Sequence, residues 1–450
     1  MDEPDLLTPL STEDARILAL ESAPIRGHAI KVLVIDDAPG EAPVEALRAE
    51  IAQRLRGARR WRQRIVTAPG TPAGLAWQDD PDFDVARHVR AARAGEPVGE
   101  DELRGLVADL MKVPLDRTRP LWTMDVVPRL ADGRWAIVWK VHHALADGVA
   151  MMRAGARLLW TEAHSPPREA RKARPATPTA SVIWRRGLVL REFRRVRVWQ
   201  LSPLAADVGP ERAVAFARCS LDELRALGKA VAPEVTINDV LLAMIAGALR
   251  RWLLRQQVRR ARMKAQVPVS MHPHLGEDDP CGNRDSFLFV WLPLDEADPV
   301  ARVRAVSAAT RKRKNRQDAQ AIYALRDLLG RAPAPVRGAL QRLVQGPHEY
   351  SVNVSNVPGP AGPIHVLGRR VDAMYSIAEI APHHALRIAA VSLGGSLTIG
   401  LCADPNVVPD LDEIAAGLRL SIDELRERVM ERGPAVRRAS SPANAAPFRG

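Results

Sequence analysis

A mixed α/β fold built in two parts is predicted by three observations. The chain has 450 residues, more than one domain usually holds, since about 100 to 200 residues per domain is common. Stretches with strand character alternate with stretches of helical period in both halves, the pattern of a layered α/β structure. Between the halves, residues 165–180 (SPPREARKARPATPTA) are rich in Pro, Ala and basic residues and nearly devoid of large apolar side chains, the composition of a linker. The expected organisation is therefore 1–164 for an N-terminal part, 165–204 for a linker with a basic amphipathic helix, 205–432 for a C-terminal part and 433–450 for a disordered tail.

In chain order, residues 28–35 (HAIKVLVI) read as a strand, and 43–55 and 102–111 as helices. Residues 134–141 (RWAIVWKV) are rich in β-branched and aromatic side chains and predict a strand, followed by a helix over 149–160. HHALADG lies between those two. Beyond the linker, 212–220 predict a strand, and Ser220 to Glu223 has capping-box spacing for a following helix. Asn238 and Asp239 open a helix that is apolar on nearly every face through Leu249, the mark of a buried helix. Strands over 386–393 and 396–402 flank Gly394-Gly395, a pair able to supply the positive φ angles of a hairpin turn. A last helix is expected over 411–430.

Composition narrows the function classes. Apolar residues make up 46% and charged residues 26% of the chain, which predicts a folded protein rather than a disordered one. The apolar run 240–249 ends at Arg250 and Arg251, short of the roughly twenty residues a spanning helix needs. The acidic start MDEPDLLTPLSTEDA lacks the basic and apolar regions of a signal peptide, so a cytoplasmic protein is expected. Cys219, Cys281 and Cys402 are too scattered for a disulfide framework or a zinc site, and no metal is expected. A net charge of +12 attracts any polyanion. With six Phe and three Tyr and no zinc-finger, RNP or KH motif, nucleic acid is not an expected partner.

His142-His143-Ala-Leu-Ala-Asp147-Gly148 is the sharpest chemical signal. A His at the end of a strand is held by a rigid scaffold while facing a cleft, and a neutral imidazole near pH 7 can take a proton from an alcohol. Asp147 can cap the next helix and Gly148 permits a close backbone path. A second HHAL at His383-His384 is followed by Arg387 and Ile388, with no Asp and no Gly in register, and reads as structural. The sequence contains no GxSxG, HExxH, Walker A or GxGxxG motif, so covalent serine, metal, phosphoryl and dinucleotide chemistries lack their signatures. Direct attack of an alcohol on a thioester needs only a base, because a thiolate with a conjugate-acid pKa of about 8.5 leaves readily.

The residues resemble those of the bacterial wax ester synthase/diacylglycerol acyltransferase family over nearly the whole chain. HHxxxDG is shared by a wider superfamily; more specific are PLDRTRPLW from Pro114, Asn238-Asp239, Gly282-Asn283-Arg284, Ser355-Asn356-Val-Pro-Gly-Pro360 and LTIGLCADPNVVPDLD from Leu397. The resemblance implies two CoA-dependent acyltransferase-like (chloramphenicol acetyltransferase-like) subdomains with a tunnel at their interface. It implies His143 as general base, with His142, Asp147 and Gly148 completing the motif. Pro120, Leu121, Trp122, Asn238, Asp239, Asn283, Arg284 and Asn356 would bind substrate or shape the site. The implied reaction uses acyl-CoA as co-substrate, without a cofactor, to make triacylglycerol from diacylglycerol or wax esters from long-chain alcohols. Trp122 also reads as a core aromatic, and Asn238-Asp239 as a helix cap.

Residues 181–199 (SVIWRRGLVLREFRRVRVW) place Val182, Val189, Phe193 and Val196 near one helical face among six arginines. Such a helix suits an anionic membrane or lipid-droplet surface, or packs its stripe between the two halves. Two other readings remain open: a condensation domain taking its thioester from a carrier protein, and a catalytically silent lipid-binding protein of the same fold.

Overall fold

The computed structural model describes residues 7–37, 43–71, 73–92, 96–162, 202–258, 261–270, 285–315 and 350–438. The predicted linker, the basic amphipathic segment, Cys281, Asn283 and Arg284 lie outside them.

Two sheets organise the described chain. The first has seven strands in the order Val89–Ala91, Trp122–Val127, Trp135–His142, His28–Ile35, Arg369–Ala378, Ile364–Val366 and Thr161–Glu162. Its central strands, His28–Ile35 and Trp135–His142, are buried at every position. Continuous burial explains why HAIKVLVI and WAIVWKVH carry apolar residues on both alternating faces. One face packs on Leu47, Ile51, Met151 and Leu158, and the other on Leu103, Val107 and Met111 of the helix Glu100–Lys112.

The second sheet runs Asp285–Trp291, Lys264–Ser270, Val352–Val357, Leu386–Leu393, Ser396–Ala403 and Ala213–Ser220. Its outer face carries the core of the second half, with the helices Leu221–Val231, Ile237–Arg255, Pro299–Asn315 and Leu411–Arg438. Ile237–Arg255 is buried without a break from Asp239 to Leu249, as its all-round apolarity predicts. Gly394 and Gly395 have φ of 52° and 89° and close the hairpin between Leu386–Leu393 and Ser396–Ala403.

The sheets do not divide at one point in the chain. Ile364–Val366 and Arg369–Ala378, within the stretch assigned from sequence to the second part, complete the first sheet, where Arg369–Ala378 pairs antiparallel with His28–Ile35. That strand also meets the second sheet: Thr398 Oγ1 donates to Met374 O, and a Cβ on Gly400 would fall 2.2 Å from Ser376 O. Only glycine admits so close a backbone approach. The last helix continues to Arg438, so the opening of the expected disordered tail is helical: Gly433-Pro434 weakens the hydrogen-bond ladder there without reversing the chain.

Candidate active site

The HHxxxDG loop leaves the first sheet at the end of its central strand. His142 N donates to Leu121 O at 3.0 Å, so the Pro120-Leu121-Trp122 run braces the strand end. All three are buried. Trp122 Nε1 donates to Trp61 O at 2.8 Å, and its ring stacks on His88 with centroids 4.6 Å apart. The run reaches the loop through the backbone of His142.

His142 itself is held on every side. Its Nδ1 accepts from Ala144 N at 3.0 Å, which fixes the tautomer with the proton on Nε2. Nε2 faces Glu21 Oε1 and backs onto Gly27, where a Cβ would come within 2.8 Å of it; Gly27 has φ +67°. Burial raises the Glu21 carboxyl, but His142 and Arg117 outweigh it and hold the group below the usual carboxylate range. These are the contacts of an anchor.

His143 is half-buried. Its N donates to Gly27 O at 2.9 Å, and its Nε2 is closed off from solvent. Burial, reinforced by the positive field of Arg387 and opposed by Asp147, pushes its pKa down to about 3. The imidazole is thus neutral throughout the physiological range, the form that can accept a proton.

Asp147 caps the helix Gly148–Leu158: Oδ1 accepts from Val149 N at 2.9 Å and from Ala150 N at 2.7 Å. Those bonds satisfy two of the helix's orphan donors and pin the loop between His143 and the helix. Gly148 brings in the second sheet, since a Cβ there would lie 3.2 Å from Val357 Cγ2. The loop therefore sits where the two sheets meet.

The remaining sequence candidates divide. Asp239 closes a capping box at the start of Ile237–Arg255: its Oδ2 accepts from Thr236 N at 2.9 Å, and Thr236 Oγ1 accepts from Asp239 N at 3.2 Å. Its Oδ1 accepts from Thr310 Oγ1 at 2.6 Å, which ties two helices of the second half together. Asn238 Oδ1 is enclosed at the same helix start. Asn356 pairs with Ala390, a core residue under the outer helices, and strand alternation therefore turns it away from the face that carries Val357. Among the described residues no cluster of His, Cys, Asp or Glu is suited to a metal ion.

Three charged residues near the loop are not marked as site residues by the sequence, where Arg387 enters only as the residue that breaks the motif register after the second HHAL. Glu21 anchors His142. Lys31 is buried in the central strand, donates to Ser376 Oγ at 3.0 Å and acts electrostatically on both Asp147 and His143. Arg387 joins the end of the first sheet by donating from Nη1 to Glu379 O at 2.8 Å. The signal for the last two was a lone cation inside an otherwise apolar strand, HAIKVLVI and LRIAAVSL, where a buried charge requires a partner or a function.

Two stacked α/β sheets with HHxxxDG at their junction define an acyltransferase fold. Residues 10–201 match the catalytic domain of wax ester synthase/diacylglycerol acyltransferase, and residues 281–426 match the C-terminal domain of the same family. The chain belongs to that family, and is an acyltransferase. A Mycobacterium tuberculosis protein named as a diacylglycerol O-acyltransferase is 32% identical over 92% of this chain and 95% of its own length. A second from that organism is 28% identical over 93% of this chain and 90% of its own. Among solved structures, the wax ester synthase/diacylglycerol acyltransferase from Marinobacter aquaeolei VT8 superposes with a TM-score of 0.70 at 22% identity, covering 94% of this chain and 100% of that one. The first condensation domain of the CDA synthetase gives 0.57 at 18% identity, covering 94% and 97%.

Proposed function

We propose that this acyltransferase moves a fatty acyl group from acyl-CoA directly onto the hydroxyl of diacylglycerol or of a long-chain alcohol, with His143 as general base. The observation that carries the reading is a neutral His143, its Nε2 closed off from solvent, on a loop pinned by Asp147 and braced by Leu121. The substrate class is that named for the mycobacterial relatives and the Marinobacter enzyme. The alcohol oxygen attacks the thioester carbon as its proton passes to the imidazole. Collapse of the tetrahedral intermediate breaks the C–S bond, and the imidazolium returns the proton to the departing thiolate. No cofactor enters this sequence. Among the described residues no helix is long and apolar enough to cross a membrane, and a water-insoluble acceptor would be met at an anionic membrane or lipid-droplet face of the cytoplasm.

The test is thiol release from palmitoyl-CoA, with diacylglycerol or hexadecanol as acceptor, by the wild type and by a folded His143→Ala variant. Acceptor-dependent release that falls at least about 100-fold in the variant is expected, the lower range for loss of a general base. Equal release by the variant would sink the base assignment. Release only with a carrier-protein thioester would replace acyl-CoA by the donor used in condensation domains, whose fold this chain shares.

A further inference from the structure

The inner face of the second sheet carries a row of polar side chains that the mechanism above leaves without a role. Gln266, Asn353 and Arg387 stand opposite one another on three adjacent strands, since Gln266 pairs with Asn353 and Asn353 with Arg387. Gln266 and Asn353 are buried, and Asn353 Nδ2 donates to Gln266 Oε1 at 2.7 Å. Next in the row is Cys402, opposite Arg387 and packed with Ile30, Val32 and Ile377 of the first sheet. The row therefore faces the first sheet rather than the outer helices.

Backbone contacts fix where on that sheet Arg387 arrives. It donates to Glu379 O, and Glu379 N donates to His28 O at 3.1 Å. His28 pairs with His142, their rings 5.8 Å apart, and the next residue in the chain is His143. Val357, on the same face of the second sheet as Asn353, touches the position of Gly148. Arg387 thus stands across the junction from the HHxxxDG loop.

We infer that Arg387, held by Glu379 O beside the Gln266–Asn353 pair on the same sheet face, is a catalytic residue that donates to the carbonyl oxygen of the thioester as that oxygen becomes negative. This rests on the reading of His143 as base. When the alcohol oxygen bonds to the acyl carbon, the carbonyl π pair moves onto oxygen and the alcohol proton onto His143. The guanidinium stabilises that oxyanion. On collapse the pair re-forms the carbonyl, the C–S bonding pair leaves with sulfur, and the sulfur takes the proton from His143. A fixed donor in a water-poor site needs no reorganisation as charge develops, the usual source of the largest single contribution to such catalysis. Arg387 also acts on His143: with burial, His142 and Lys31 it disfavours the imidazolium, while Asp147 favours it; His28, on the neighbouring strand, is coupled to the same ring.

The experiment compares full-length wild type, Arg387→Met, Arg387→Lys and His143→Ala, each verified as folded by thermal melting. Steady-state rates with palmitoyl-CoA and diacylglycerol are combined with an NMR titration of His143, assigned by the signal missing from His143→Ala. Arg387→Met is expected to lower kcat about 100-fold, as for loss of one oxyanion donor, with KM for palmitoyl-CoA within about threefold, and to move the His143 titration upward. Arg387→Lys should recover part of kcat and restore the titration; should Arg387→Met not fold, Arg387→Ala is read in its place, and an unchanged kcat there would overturn the inference. Unchanged kcat in Arg387→Met, or a raised KM at constant kcat, overturns it as well. If His143→Ala keeps acceptor-dependent turnover, the base reading fails instead, so the two failures are distinguishable.

Discussion

At the scale of single residues, the surroundings of the loop hold charge that is partly or wholly withdrawn from solvent. Lys31 is the clearest case. Burial lowers its pKa from 10.5 to about 8, against the pull of Asp147. The unfolded chain keeps that proton up to about 10.5, so between pH 8 and 10.5 it binds more protons than the folded one, and the folded state gains stability as pH rises through that window. Below pH 8 both states hold the proton and the cost of burial is constant, on the order of 3 kcal/mol at about 1.36 kcal/mol per pH unit. Lys31→Met removes that cost and gives up one hydrogen bond to Ser376 and an attraction to Asp147. A net stabilisation of about 1 to 2 kcal/mol at pH 7 is expected, shrinking towards pH 10. Urea unfolding at both pH values checks it, and an advantage that grows with pH would contradict the assignment. The sequence showed His143 because HHxxxDG is local. It did not show Lys31 or Arg387 as members of the site, because only the fold brings them there: Lys31 meets Ser376 345 residues further along the chain, and Arg387 comes near His143 only once the strand Leu386–Leu393 is packed against the first sheet.

Elements were legible where the chain's own periodicity decides them. Strands over 28–35 and 386–393, the hairpin at Gly394-Gly395 and the buried helix after Asp239 all follow from local pattern. The pairing of Arg369–Ala378 with His28–Ile35 does not, because it depends on the fit of two backbones far apart in sequence. Gly400 is the residue on which that fit turns. Its nearest neighbour is a backbone carbonyl, Ser376 O, with Ile377 Cδ1 next; a side-chain end could move but the carbonyl cannot, so the added methyl of Gly400→Ala requires Ser396–Ala403 to separate from Arg369–Ala378. A destabilisation of roughly 1 to 3 kcal/mol is expected, the range for overpacking a close-packed interior. Denaturant midpoints measure it, and a neutral substitution would mean that the sheets separate freely at this point. Asp239 makes the complementary point: the sequence suggests Asn238-Asp239 as the cap, and the structure puts the N-cap at Thr236, with Asp239 closing the capping box three residues on.

For the whole molecule, the question is what holds the two sheets in register across the loop that carries His143. Apolar packing contributes through Cys402 and Val214 against Ile30 and Val32, but it is not directional. Direction comes from Arg212, at the head of the second sheet's edge strand. Its Nε donates to Glu379 Oε1 at 2.8 Å with both side chains nearly inaccessible. Nη1 donates to Gly209 O at 2.8 Å and Nη2 to Pro24 O, while Glu379 Oε2 accepts from Arg26 N at 3.3 Å. The network spans Pro24 to Gly27, the turn whose Gly27 carbonyl receives His143 N. Removing one partner strands the other as a buried charge, which costs about 3 to 5 kcal/mol, whereas replacing both by apolar side chains of similar size is close to neutral. Arg212→Met should therefore destabilise the protein by that amount, and Arg212→Met combined with Glu379→Leu should recover most of it. If the pair also sets the site, the double variant should regain stability in denaturant titrations yet keep a reduced kcat, since the apolar replacements cannot hold Pro24 O and Arg26 N. Full recovery of both stability and kcat would show that packing alone aligns the sheets.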